Sequence, residues 1–319
     1  MRILALVPGG IGDQILFFPT IDNLKGRYPD AEIDVIVEPK STAAYRVSKS
    51  VHKVIPFDFK DTNGPADWGN LLGVIRDREY DVAMSLGRRF GVGLLLWLTG
   101  IPVRIGFTAG ISNLFLSNPV MLNLNQYAAD MFHDLVRGLG VTDPCPALAI
   151  NVPKADIEWS EAEQQRLGIK DGYVLIHGGS SKSSETLGFD KIYPVKQWQQ
   201  IVKDLETRQP NIPVAIVKGP DDGEFIESML AACPNLKVIS PTDIGKLAAT
   251  IAGANLMLCT DSGPMHLAVA VGTYTIALFG PTDPDKLLPK NGRAIAVKSR
   301  TGKIADIPPS DILEKIWKG

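Results

Sequence analysis

Short β-branched runs alternate with amphipathic stretches from the first residue of the chain onward. RILALVP, EIDVIVE, VHKVIPF, DVAMSLG and VRIGF read as strands, with helical stretches between them, the first opening at about Asp13. A helix over YAADMFHDLVRGLG is expected to stop at Gly140, since glycine commonly ends helices. The next segment, TDPCPALAINVPK, holds three prolines and no clear period, and reads as a connection. The rhythm then restarts: helix SEAEQQRLG, strand YVLIHGG, helix VKQWQQIVKDLETRQ, strand PVAIVKGPDD, helix EFIESMLAAC, strand LKVIS, helix IGKLAATIAG, strand LMLCTD, helix PMHLAVAVG and strand YTIALFG. Strands separated by helices at this spacing build parallel sheets. The pattern therefore predicts an α/β protein of two Rossmann-like domains, residues 1–152 and 153–319, facing across a cleft. A terminal helix over about 309–318 is expected, with room to fold back on the N-terminal domain. In such sheets ligands bind at the carboxyl ends of the strands.

With 319 residues, 45% of them hydrophobic and 21% charged, the chain has enough apolar mass for two cores. A formal net charge of −2 and a pI near 6.1 give no overall basic field, which argues against nucleic acid as a partner. Cys145, Cys233 and Cys259 lie far apart with no C-x-x-C spacing, so a reducing, cytoplasmic setting is expected rather than a disulfide framework or a zinc site. The N-terminal run reaches Pro8-Gly9-Gly10 too soon for a signal peptide. The most apolar stretch, GVGLLLWLTGI from Gly91 to Ile101, is about half the ~20 residues that cross a bilayer. It reads first as a buried helix, and second as a peripheral contact with the inner membrane.

The first strand runs into GGIGDQILFFP, a glycine-rich turn that opens a helix and leaves backbone amides beside the strand end. Gly10 and Gly12 fit a dinucleotide fingerprint, but Ile15 replaces its third glycine. Glu38 stands where a ribose-binding acid would, so an NAD-dependent oxidoreductase stays open as an alternative. Asp13 at the helix start has two readings: an ordinary N-terminal cap, or a base that accepts a proton from an alcohol. Arg88, Arg89 and Arg104 are candidates for an anionic acceptor, or are only solvated or paired.

In the second half, LMLCTDSGPMHLAVAVG ends a strand at Asp261 and opens a helix at Ser262-Gly263-Pro264. Amides around Ser262, Gly263 and Met265 could cradle a diphosphate. Asp261 would hold the loop or accept a sugar hydroxyl, and His266 is either a packing histidine or a ligand contact. Ser180, Ser181 and Lys191, after the YVLIHGG strand, could meet the diphosphate oxygens, and Asp222 or Glu224 a ribose diol. Asp221-Asp222 and Asp283-Pro284-Asp285 suggest a metal only weakly, because lysine and helix amides can already carry the charge. No metal and no cofactor are expected.

With these residues in view, the chain resembles glycosyltransferase family 9, the ADP-heptose:lipopolysaccharide heptosyltransferases. The resemblance rests on GGIGDQILFFPTIDNLKGRYPDAEIDVIV, RIGF at Arg104 to Phe107, KIYP at Lys191 to Pro194, GPDDGE at Gly219 to Glu224, and TDSGPMHLAVAVGTYTIALFGPTDP at Thr260 to Pro284. It implies the GT-B type glycosyltransferase fold, transfer with inversion at the sugar carbon, and no required metal. It further implies Asp13 as general base, Lys191 on the donor diphosphate, and Asp261, Ser262, Gly263 and His266 in the donor loop. The expected partners are a nucleotide-sugar donor, by default ADP-heptose, and a glycolipid or oligosaccharide acceptor. A nucleotide-sugar epimerase of the same fold, and a non-catalytic binder, are the remaining alternatives.

Overall fold

The computed structural model describes residues 1–59, 63–108, 110–178 and 192–318. The chain divides into two compact units, Met1–Asn151 and Val152–Gly319. In the first, β1 (Arg2–Val7), β2 (Glu32–Val37), β3 (Lys53–Pro56), β4 (Val82–Ser85), β5 (Val103–Phe107) and β6 (Asn118–Val120) form one sheet. Its order is β3-β2-β1-β4-β5-β6, and every pair is parallel. Parallel strands need crossovers, supplied here by α1 (Ile11–Arg27), α2 (Pro65–Arg76) and α3 (Phe90–Thr99), with α4 (Ala128–His133) following β6. Helices cover the sheet, so its central strands are apolar without alternation: five of the six residues of both β1 and β2 are buried.

The second unit repeats the plan. Its strands are β7 (Val174–His177), β8 (Val214–Val217), β9 (Lys237–Ile239), β10 (Leu256–Thr260), β11 (Thr275–Phe279) and β12 (Ala294–Lys298), ordered β12-β11-β10-β7-β8-β9 and again all parallel. The helices are α5 (Lys154–Arg166), α6 (Val195–Arg208), α7 (Gly223–Ala232), α8 (Ile244–Ala252), α9 (Gly263–Val271), α10 (Pro284–Leu287) and α11 (Pro309–Lys318). Helix α6 shows why such segments fold as they do. Trp198, Ile201, Val202 and Leu205, at helical spacing, are its buried residues and join the core of the second sheet.

Both sheets carry the doubly wound order, in which the chain starts at a central strand, works to one edge, then returns to the centre and works to the other. The return point lies between β1 and β4 in the first unit and between β7 and β10 in the second. Loops leaving the two strands at such a point diverge and leave a crevice.

The helix before the connection and two edge strands differ from the sequence reading, and the terminal helix forms where it was expected. The helix expected up to Gly140 is α4 followed by a 3₁₀ stretch, Asp134–Leu139, with Gly140 left-handed at φ 74°. Strands β6 and β12 were not anticipated. The terminal helix α11 buries Ile312 in the core of the second unit, and Trp317 Nε1 donates to Asp204 Oδ2 of α6 at 2.8 Å. Among the described residues no helix is long and apolar enough to cross a membrane.

Candidate active site

In the first unit the crevice begins where β1 ends. Gly9 has φ +126°, a conformation that side chains rarely adopt, and a β-carbon there would stand 2.4 Å from Asp13 Oδ2. The turn folds back so that the Gly10 amide donates to Asp13 Oδ2 at 2.8 Å. Neighbours lock it: Ser41 Oγ donates to the Gly9 carbonyl (2.8 Å), and Gln14 Nε2 donates to the Val7 carbonyl (3.0 Å). The fully buried Gln14 in turn accepts from Tyr45 Oη at 2.8 Å. Gly12 lies in the first turn of α1. Burial pushes the Asp13 carboxyl above the ordinary aspartate value, and the backbone hydrogen bonds only partly offset it. The capping reading is therefore correct as geometry, yet the carboxyl is also poised as a stronger base than a solvated aspartate. Gly9→Ala should lose about 1–3 kcal/mol of stability in urea unfolding and displace Asp13. A variant as stable as the parent would contradict this account of the turn.

Beside this turn is a cavity of about 600 Å³, lined by Pro8, Glu38, Phe59, Gly87, Arg88, Arg89 and Val92. These residues follow β1, β2, β3 and β4 or open α3, so the cavity lies at the carboxyl ends of the first sheet's strands. Arg88 and Arg89 are exposed on its wall. Arg104 is engaged elsewhere: its Nε donates to the Phe115 carbonyl at 2.8 Å and its Nη1 to the carbonyls of Ile101 and Pro102. Arg104 is therefore a paired arginine, its guanidinium held by backbone carbonyls on either side of β5. Glu38 Oε1 accepts the Phe59 amide at 3.2 Å, and Ile15, where a dinucleotide site would need glycine, is fully buried.

In the second unit the ends of β7 and β10 meet. Ser262, the N-terminal cap of α9, places its Oγ 3.4 Å from His177 Nδ1 and donates to the Thr260 carbonyl at 3.1 Å. Ser262, Gly263 and Pro264 are partly exposed. The Gly263 amide, in the first helical position, has no intrahelical acceptor, whereas the Met265 amide is taken by the Ser262 carbonyl at 3.1 Å and Met265 is buried. Asp261 is only 6% exposed and accepts from Thr282 Oγ1 at 2.7 Å, tying the loops after β10 and β11 together. Lys298 Nζ donates to the carbonyls of Gly280 and Thr282 in the same loop. His266 is buried in the first turns of α9.

The third strand end contributes Asp222, which caps α7 and accepts the Gly219 amide at 2.8 Å, while Glu224 is exposed in the first turn. His177 links these pieces and was not singled out in the sequence. Burial pushes its pKa down, and the Asp222 charge pulls it up without compensating. Its only sequence signal is its place as the last residue of a strand before Gly178. Asp283 caps α10 by accepting the Asp285 amide at 3.1 Å, and Asp285 pairs with Lys290, which accounts for that acidic pair. Among the described residues no three His, Cys, Asp or Glu side chains converge as metal ligands. Ser180, Ser181 and Lys191 lie outside the described residues.

The sequence profile of glycosyltransferase family 9 (heptosyltransferase) matches residues 68–316. The chain belongs to glycosyltransferase family 9. Lipopolysaccharide heptosyltransferase 2 of Escherichia coli K12 is 24% identical to this family 9 chain, covering 99% of it and 97% of the relative. The photosynthetic NDH subunit of subcomplex B 1, chloroplastic, from Arabidopsis thaliana is 25% identical, over 96% of this chain and 71% of its own. Among solved structures, E. coli ADP-heptose LPS heptosyltransferase II superposes with a TM-score of 0.79 at 20% identity, over 99% and 97% of the two chains. The two parallel-sheet domains of this family 9 member are thus those of a GT-B type glycosyltransferase.

Proposed function

We propose that this protein moves a heptose from ADP-heptose onto a saccharide or glycolipid acceptor, inverting the anomeric centre. The observation that carries the reading is Asp13: a carboxyl held against the Gly10 amide at a sheet switch point, with burial raising its basicity. In a single displacement the acceptor hydroxyl attacks the sugar carbon, its proton passes to Asp13, and the carbon–oxygen bond to the diphosphate breaks. Charge then builds on the departing ADP. Lys191, by the family resemblance, and the amide at Gly263, by its position at the start of α9, are the groups assigned to stabilise it. With these present the reaction needs no metal and no cofactor. Ser180, Ser181, Asp222 and Glu224 are assigned to the donor, while Arg88 and Arg89 on the cavity wall are assigned to an anionic part of the acceptor. The three cysteines are free thiols, which fits a cytoplasmic setting.

The direct test is release of ADP from ADP-heptose, dependent on added acceptor, by the purified protein. A companion measurement isolates the donor site. Thermal shifts with ADP, UDP, GDP and NAD should favour ADP, and Lys191→Ala should weaken ADP binding by roughly 1.5–3 kcal/mol, which is about 10- to 150-fold. Stabilisation by NAD alone would displace the transferase reading. A second reading has one observation in its favour: the plant relative is named as a subunit rather than as a transferase. A non-catalytic family member would bind donor and release no ADP with any acceptor.

A further inference from the structure

From Val82 to Ala129 the chain contains no aspartate or glutamate, yet it contains Arg88, Arg89 and Arg104. Among the described residues, this is also where the first unit has most of its exposed large apolar side chains, Met1 and Val74 being the others. Helix α3 buries Val92, Leu95 and Leu96 against the core, while Phe90 and Trp97 are 53% and 52% exposed. Phe90 and Trp97 both meet Phe115, with ring centroids 5.2 and 6.2 Å apart. Phe115 closes the 3₁₀ turn Gly110–Phe115, which presents Ile111 and Leu114 at 69% and 79% exposure. One surface therefore combines two aromatics and two aliphatics, where isolated exposed apolar residues would need no explanation.

We propose that this α3 face is a docking surface for an anionic phospholipid bilayer. The charge pattern selects that occupant: the segment is basic and free of acids, which complements anionic headgroups, and indole and phenyl rings favour the membrane–water interface. Ten residues of helix reach about 15 Å, half of a bilayer core, so α3 lies in the surface and does not cross it. The face is continuous with the acceptor cavity, because Arg89 and Val92 line that cavity and Phe90 stands between them in sequence. Docking would hold the cavity mouth at headgroup level, where a lipid-linked saccharide is presented. The benefit to catalysis rests on the transferase reading, but the docking itself does not.

The test is co-sedimentation of the full chain with vesicles of phosphatidylcholine alone and of phosphatidylcholine mixed with phosphatidylglycerol. The parent protein should bind the mixed vesicles more strongly than the neutral ones, and more weakly as salt is raised. The double variant Ile111→Glu/Leu114→Glu should lower partitioning at least about tenfold, and Trp97→Glu, on the other element, should act in the same direction. Both changes are at exposed positions, and circular dichroism with the ADP thermal shift reports whether fold and donor site survive. Failure of the parent to bind mixed vesicles, or undiminished binding by folded variants, would overturn the proposal. So would a lipid-free dimer that the variants convert to monomer, which would make the face a contact between copies. The ADP shift, read separately, shows whether the donor-site reading stands when the docking surface does not.

Discussion

Asp13→Asn should leave the fold intact and lower the rate of sugar transfer about 10²- to 10⁴-fold. The substitution separates the two roles that coexist at this position. Asparagine can still accept the Gly10 amide through its side-chain oxygen, so the cap observed at 2.8 Å is preserved. It cannot take the acceptor proton. If Asp13 only capped α1, the variant would retain nearly all activity, and that result in an acceptor-dependent ADP-release assay would dispose of the base. The pH profile supplies a second check. Burial raises the folded-state pKa above the ordinary aspartate value, so the carboxylate form is lost on acidification earlier than for a solvated aspartate, and activity should fall on the acid side accordingly. Stability runs the opposite way. A carboxyl with a raised folded pKa disfavours folding once the pH exceeds the unfolded value, so Asp13→Asn at neutral pH should be at least as stable as the parent in urea unfolding. Loss of activity without loss of stability is the combination expected of a functional acid.

Most strand segments could be located because buried parallel strands write themselves as unbroken apolar runs. LMLCT and TIALF are buried at every position, and the Gly-Pro pairs soon after them, Gly263-Pro264 and Gly280-Pro281, mark where the strands end. Strand β6 escaped notice because it is three residues long, lies at the sheet edge and contains Pro119, features that contradict strand propensity. The 3₁₀ stretch Pro39–Val47 also left no periodic signature, although it supplies Ser41 and Tyr45, which lock the Asp13 turn. Side chains that act by reaching across the fold are not visible in local sequence.

The candidate site was legible in the same uneven way. Gly9, Asp13, Ser262 and Gly263 announce themselves by sitting where strands become helices. His177 does not, because its meaning comes from Ser262, eighty-five residues away, and from the Asp222 charge. Arginines were the least legible. Composition cannot distinguish Arg104, whose donors go to carbonyls on either side of β5, from Arg88 and Arg89 on the cavity wall. The GVGLLLWL stretch reads in sequence as either a buried helix or a surface contact. Helix α3 has one buried face and one exposed face, so the first alternative does not exclude the second.

The largest stability effect is expected at Asp34, a residue that touches none of the proposed substrate contacts. Asp34 lies within β2, is 2% exposed, and accepts from Tyr80 Oη at 2.7 Å and from Arg78 Nη1, while His52 Nδ1 lies 2.9 Å from its other oxygen. Burial by itself would push this carboxyl up, but the hydrogen bonds from Tyr80 and His52 and the charge of Arg78 outweigh it and hold it below the ordinary aspartate range. Asp34→Ala removes the acceptor shared by three groups, leaving the Tyr80 hydroxyl in a buried position without it. A loss of about 3 kcal/mol in urea unfolding at neutral pH is expected. Because the folded pKa is depressed, the stabilisation is complete above the unfolded aspartate pKa and is lost as the pH falls through the folded one. Parent and Asp34→Asn should therefore differ clearly at neutral pH and converge in acid. A difference that persisted at low pH would mean that shape at this site, and not the carboxylate charge, joins β2 to the arginine and tyrosine that precede β4.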